Sequence, residues 1–168
     1  TSGKISTKGK FDFRFGKVVA RIKPPVGNAM WPAFWSLGSA FPETPWPRCG
    51  ELDFMELHNF HSNQNTTHTT MHWCDDSKQA PDICTFPGGW VFDSQYKTLP
   101  DSLGDDFHTW VVDWTADRIV GSIDGVSYFE RAISPDTMEE FLETFFLILN
   151  VAAGGTLGSG NQPPDGNE

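Results

Sequence analysis

Cations are scarce in this 168-residue chain, with 12 Lys and Arg against 22 Asp and Glu and a net charge of -10. A surface of that sign repels phosphates and has too few cations to displace the counterions of a nucleic acid, so neither nucleic acid nor an anionic membrane is an expected partner. Long apolar runs are also missing, and no stretch of about 18 apolar residues exists to cross a bilayer as a helix. The opening residues, TSGKISTKGKFDF, lack an apolar h-region and a cleavage site and read as the interior of a fold. Only three cysteines occur, Cys49, Cys74 and Cys84. Cys74 and Cys84 flank the polar loop DDSKQAPDI, which a disulfide would close in an exported chain; two buried free thiols are the alternative. Cys49 has no adjacent base or helix N-terminus to lower its thiol pKa, and is read as a packing residue. No HExxH-type helix is present, and His68 and His72 would lie about 13 Å apart on an extended strand, so no metal site is expected from the histidines.

Aromatic residues, by contrast, are abundant, with 7 Trp and 14 Phe. In an acidic chain they favour a neutral ligand with stackable faces, and a sugar is the commonest such ligand. The length suits one domain, over residues 1–168. Strand periodicity dominates. Val18, Ala20 and Ile22 alternate with polar neighbours, as do Phe11, Phe13 and Phe15 upstream, with Gly16 marking a bend between the runs. HTWVVDW, DRIVGSI and VSYFE predict a meander whose second turn is Asp124-Gly125. Ser134-Pro135-Asp136 before TMEEFLE predicts a short helix capped by Ser134, running into FFLILNVAAGG as a strand covered on both faces. Short strands, frequent turns and one small helix together predict an all-β antiparallel sandwich. The tail TLGSGNQPPDGNE reads as a surface loop or frayed end.

The segment GELDFMELH, residues 50–58, conflicts with a regular pleat. An unbroken strand would point Glu51 and Asp53 to one side and bury Glu56 among Leu52 and Phe54 on the other, a costly place for an unpaired carboxylate. One extra residue near Phe54 and Met55, a β-bulge, turns Glu56 and His58 onto the face of Glu51 and Asp53. Three carboxylates then line one wet strand, an arrangement poor for stability and therefore read as functional. The Cα atoms of Glu51 and Glu56 would lie about 13 Å apart. Converging side chains would narrow the carboxyl gap to about 5 to 6 Å, the separation retaining glycosidases use.

GELDFMEL resembles the E-x-D-x-x-E signature of family sixteen glycoside hydrolases, in the bulged form typical of laminarinases, agarases and κ-carrageenases. FGKVVARIKPPVGNAMWPAFWSLG upstream, and FHTWVVDWTADRIVGSIDG and FLILNVAAGG downstream, are similar to that family's pattern and appear in the same order, so the resemblance spans most of residues 13–155. It implies a jelly roll with a concave sugar cleft. The catalytic residues it implies are Glu51 as nucleophile, Asp53 as helper and Glu56 as acid/base. It also implies sugar contacts from Trp31 and Trp35 in MWPAFW and from His72 in THTTMHW. Alternation puts His68, Thr70 and His72 on one side of that last segment and Thr69, Met71 and Trp73 on the other. Asn150, polar within an apolar run, is a further candidate substrate hydrogen-bonder, with a satisfied core amide as the competing reading. Trp46, Trp73 and Trp90 are ambiguous, and Trp110 and Trp114 are read as core.

The expected activity is endo-hydrolysis of β-1,3-glucan or mixed β-1,3/1,4-glucan with retention, by a secreted enzyme acting on a polysaccharide. Agarase or carrageenase activity, or a glucan-binding module that does not cut, are the alternatives. No cofactor is required. Family members often carry a structural calcium near the chain ends, but no residue here is matched to it. Relative to the family pattern, strands are absent before TSGKIST and after the GG loop, so the domain is expected to be incomplete at both ends. It is expected to be a monomer unless another chain supplies them. Asn65-Thr66-Thr67 is an N-glycosylation sequon, usable only in a eukaryotic secretory route.

Overall fold

The computed structural model describes residues 2–57, 64–75, 84 and 89–154. His58, most of the loop between Cys74 and Cys84, and the tail from residue 155 lie outside the described residues. Among the described residues, ten strands make two antiparallel sheets: β1 (Gly3–Ser6), β2 (Gly16–Ile22), β3 (Met30–Gly38), β4 (Glu51–Glu56), β5 (Thr66–Cys74), β6 (Trp90–Thr98), β7 (His108–Trp114), β8 (Arg118–Ile123), β9 (Val126–Ala132) and β10 (Phe145–Ala153). The larger sheet runs β1-β10-β3-β4-β5-β6 and the smaller β2-β7-β8-β9. This is the all-β sandwich that the alternating pattern predicts.

The core lies between the sheets. Leu52, Phe54, Met71 and Trp73 from the larger sheet meet Trp110, Val112, Trp114, Ile119, Ile123 and Phe129 from the smaller in one buried cluster. Each such side chain contributes about 1.5–3 kcal/mol by leaving water. The meander closes at Asp124 and Gly125, whose φ of 49° and 79° are those of a two-residue type I′ hairpin turn. The predicted bend upstream of β2 falls at Phe15 and Gly16, with φ of 60° and 103°. The Phe11–Phe15 alternation does not yield a strand there. Phe13 makes an isolated bridge to Phe145, and Phe13 and Phe15 pack edge-on against Trp114 at 5.6 and 5.5 Å.

Two further expectations need correction. The helix predicted from Ser134 is a single 3-10 turn, Glu139–Leu142, without a side-chain cap. The Ser134 carbonyl instead accepts backbone N–H groups from Thr137 and Met138 as a turn. Eleven positions separate Ser134 from Phe145, and burial of Met138 and Phe141 fixes the chain in that interval before a longer helix develops. β10 is covered on both faces only in its first half, since Leu149 is 38% exposed. Cys74 and Cys84 form a disulfide with Cα atoms 5.4 Å apart, which decides between the two readings of that pair.

Candidate active site

The bulge appears on both sides of β4. Against β3 the register passes from Phe34↔Met55 to Trp35↔Asp53, and against β5 from Asp53↔Thr70 to Glu56↔His68, so one extra residue of β4 is accommodated at Phe54 and Met55. An interrupted ladder leaves backbone carbonyls to be satisfied inside the protein. Two threonines of β5 supply the missing donors. Thr69 Oγ1 donates to the Phe54 carbonyl at 3.1 Å and Thr67 Oγ1 to the Glu56 carbonyl at 3.1 Å. The Thr69 proton being used, the 2.7 Å contact from Tyr128 must be donated by the phenol, which ties the bulge to β9 in the other sheet. Burial pushes the Tyr128 pKa up to about 12, in keeping with a phenol that stays protonated. At the start of the strand, Gly50 has φ 78°, and a Cβ there would stand 2.8 Å from Glu140 Cβ and Phe145 Cζ. Only glycine fits both the backbone and the space.

With this register, Glu51, Asp53 and Glu56 share one face with His72, Thr70 and His68 opposite them on β5. Glu56 is buried and doubly held: Trp31 Nε1 donates to Oε1 at 2.8 Å, and His68 Nε2 lies 3.0 Å from Oε2. Asp53, 2% exposed, hydrogen-bonds Glu51. Burial pushes both carboxyls well above the usual carboxylate range; the Asp53 charge adds to the shift of Glu51, and the Glu56 charge to that of Asp53. The pair therefore retains a proton where isolated carboxylates have lost theirs. His72 stands beside them with Nε2 3.4 Å from Asp53 Oδ2. Its Nδ1 accepts from Trp90 Nε1 at 3.0 Å. An indole only donates, so Nδ1 carries no proton and the neutral ring carries its proton on Nε2, on the side of Asp53 but not hydrogen-bonded to it. Burial lowers the His72 pKa against the opposing pull of Glu51 and Glu56, which keeps the ring neutral.

Glu51, Glu56, His68, Thr70 and His72 line a cavity of about 460 Å³ together with Trp31, Trp46, Trp90, Phe92, Ser94 and Tyr96, and Asp53 lies buried beside Glu51. Of the residues expected from the sequence, Glu51, Glu56, Trp31 and His72 line this cavity, and Asp53 shares their strand face from a buried position. Trp35, opposite Asp53, and Asn150, opposite Ala33 in the row of Glu56, lie on the same face of the sheet and are tied to each other. Trp35 packs against the small cluster of Leu37, Cys49, Phe146 and Ile148, and its Nε1 donates to Asn150 Oδ1 at 2.7 Å. Asn150 Nδ2 donates to the Trp31 carbonyl at 3.3 Å, so its amide is engaged in holding the two tryptophans. Cys49 is buried, and burial followed by the Glu51 charge raises its thiol pKa to about 11, which suits packing rather than attack. Among the described residues, the trio able to bring ligand atoms within 4.8 Å of one another is Glu51, Asp53 and His72. It belongs to this cavity, whereas the chain end from residue 155 lies outside the described residues.

Sequence reasoning missed His68, Trp46, Trp90, Phe92 and Tyr96. Trp46 is delivered by residues 39–50, a loop closed on itself by hydrogen bonds such as Thr44 N to Ala40 O at 2.8 Å, and lies 5.4 Å from Trp90. No periodicity marks such a loop. The β6 residues did carry a signal: WVFDSQY alternates, placing Trp90, Phe92, Ser94 and Tyr96 on one face.

The sequence profile described as Glycosyl hydrolases family 16 matches residues 1–162. A β-1,3-glucan-binding protein of Penaeus monodon is 31% identical over 94% of this chain, which spans 48% of that protein. The glucan endo-1,3-beta-glucosidase A1 of Niallia circulans is 31% identical over 97% of this chain, which spans 24% of it. The crystal structure of the laminarinase catalytic domain from Thermotoga maritima superposes with a TM-score of 0.76 at 31% identity, covering 97% of this chain and 61% of that one. The chain thus spans about half or less of the two curated relatives and 61% of the solved catalytic domain.

Proposed function

Because the chain belongs to family 16 of the glycosyl hydrolases, we propose that it is a catalytic domain, over residues 1–168, that cuts β-1,3-glucan or mixed β-1,3/1,4-glucan internally and with retention of configuration. The observation that carries this reading is the bulge in β4, which puts Glu51, Asp53 and Glu56 on one face of the strand, with Glu51 and Glu56 lining an aromatic cleft. In the first step the Glu51 carboxylate attacks the anomeric carbon, and Glu56 gives its proton to the departing glycosidic oxygen. In the second, Glu56 takes a proton from water, the water oxygen attacks the same carbon, and the bond to Glu51 breaks. Asp53 and Glu51 share a proton across their hydrogen bond, and its passage to Asp53 leaves Glu51 ionised for attack. Trp31 and His68 hold the Glu56 carboxyl in a fixed plane. The Cys74–Cys84 disulfide supports work in an oxidising, extracellular setting.

A second reading comes from the Penaeus monodon relative, whose name describes glucan binding. Here both Glu51 and Glu56 are present on the cleft, which favours cutting. Product analysis on laminarin, lichenan, agarose and κ-carrageenan tests the proposal, with NMR of the first-formed anomer. Retained-anomer oligosaccharides from laminarin or lichenan are expected; binding to laminarin without new reducing ends would move the chain to the second reading.

A further inference from the structure

Among the described residues β6 is the outermost strand of the larger sheet, and no described strand lies beyond its cleft-facing side chains. The register sets three rows across the cleft: Glu51, His72 and Phe92; Asp53, Thr70 and Ser94; Glu56, His68 and Tyr96. Neighbouring strands lie about 4.8 Å apart, so β6 runs about 10 Å from the catalytic strand. A sugar chain crossing the strands from the reacting bond passes over β5 and then meets β6.

What it meets is two large rings at the rim. Phe92 is 56% exposed and Tyr96 63% exposed. Isolated exposed apolar residues need no explanation, but these two share one strand face about 13 Å apart and are anchored from behind. Phe92 stacks on Trp90 with centroids 5.2 Å apart and planes at 28°, and the Tyr96 ring lies 4.9 Å from His68 at 31°. Between them Ser94 Oγ and Thr70 Oγ1, 2.7 Å apart, form a hydroxyl floor. Rings on two sides and hydroxyls beneath recognise a pyranose, whose C–H faces stack while its hydroxyls bond to the floor. No Lys or Arg lines this cavity among the described residues, so a sulfate or carboxylate on the sugar would find no cation. The same rows end differently on the other side of the cleft. On β10, Phe146 and Ile148 are buried under the cluster that contains Phe41.

Resting on the reading of the chain as a glucanase, we propose that Phe92, Ser94 and Tyr96 form a sugar-binding subsite on the edge strand. It holds an uncharged glucan chain beyond the units next to the cut bond and gives the enzyme a preference for longer substrates. The variants Phe92→Thr and Tyr96→Thr remove the rings at exposed positions while keeping a β-branched residue suited to a strand.

The test is kcat/KM for laminari-oligosaccharides of increasing length, in the parent protein, both single variants and the double variant, together with titration of laminarihexaose into the Glu51→Gln protein with and without the double change. Loss of both rings is expected to lower kcat/KM on the longest oligosaccharides about tenfold, mainly through KM, to collapse the long-to-short ratio, and to weaken laminarihexaose binding similarly. Phe92→Tyr, which keeps a ring, is expected to preserve the ratio. A long-to-short ratio that is the same in the double variant as in the parent overturns the subsite and leaves the glucanase reading standing. A parent protein that cuts none of these oligosaccharides overturns the glucanase reading, and the subsite with it.

Discussion

Of the eight buried polar or charged side chains described, seven lie on β3, β4 and β5 of the larger sheet, whereas the strands of the smaller sheet bury apolar side chains such as Trp110, Trp114, Ile119 and Phe129. Both sheets face the same core, yet they solve different problems. The smaller sheet is built as burial alone dictates. The larger one buries Asp53 and Glu56 on its outer face and uses Ser36, Thr67 and Thr69 on its inner face to bind carbonyls of β4 and of its bulge. Side chains buried at a cost to stability mark the sheet that carries the chemistry. Substitutions in the two sheets should therefore separate activity from stability.

The largest separation is expected from Glu51→Gln, which removes the nucleophile but not its shape. Activity on laminarin should fall by at least about 10⁴-fold, the scale of removing a principal catalytic group, while the thermal midpoint stays level or rises because a partly buried acid has been neutralised. A drop of only a few fold would take the nucleophile assignment away from Glu51. Trp110→Ala in the smaller sheet should do the reverse, costing about 3–5 kcal/mol of stability in a urea titration. Its folded fraction should retain the parent's rate. If that fraction is inactive, the two sheets are not the independent parts described.

Thr69→Val lies between these extremes, because Thr69 belongs to the larger sheet but bonds to both. The change is nearly isosteric, strands the Phe54 carbonyl and removes one of the two threonine partners of the Tyr128 hydroxyl, so a loss of about 1–3 kcal/mol is expected, with a fall in kcat as the bulge loosens. Tyr128→Phe, which leaves Thr69 still bonded to Phe54, should cost less than Thr69→Val. Equal costs would mean that the hydroxyl of Tyr128, rather than the bulge carbonyl, is what Thr69 serves.

How much of this was legible in the sequence follows from the same division. The smaller sheet obeys alternation, so its meander, its Asp124-Gly125 turn and its core tryptophans could be read directly. The bulge was legible because alternation failed there, with Glu56 landing among Leu52 and Phe54 in any regular register. His72 followed from a strand with the right alternation placed next to β4. What stayed hidden depended on pairing and on loops. His68 faces Glu56 only because the bulge shifts β5 against β4, and Trp46 reaches Trp90 through a loop with no period to read. Trp35 and Asn150 fall on the carboxylate face, but the hydrogen bond that ties them to each other across β3 and β10 has no signal in either segment.

The smallest effects expected are those of pH, and they should differ in sign between the sheets. In the larger sheet the Glu51–Asp53 pair has its folded pKa raised, first by burial. The folded state binds the proton more tightly than the unfolded chain, so this contribution is fully present below the ordinary values of 4.5 and 3.8 and is lost as pH rises through the folded values. In the smaller sheet, Asp124 in the hairpin turn has its pKa lowered: burial alone would raise it, but hydrogen bonds from His108 Nδ1 at 2.6 Å and Thr109 N at 2.8 Å outweigh that. Its contribution is present above 3.8 and is lost as pH falls through the folded value. Acidification from neutral pH thus relieves the cleft before it weakens the hairpin. Thermal midpoints measured from pH 8 down to pH 3 should show the gain on mild acidification diminished in Asp53→Asn and the loss at the acid end diminished in Asp124→Asn. The Asp124→Asn change should be the smaller of the two because Asp124 is solvent-screened on the hairpin. If Asp53→Asn leaves the mild-acid gain intact, the proton held in the cleft is not bound by this pair, and the strain attributed to the larger sheet has another source.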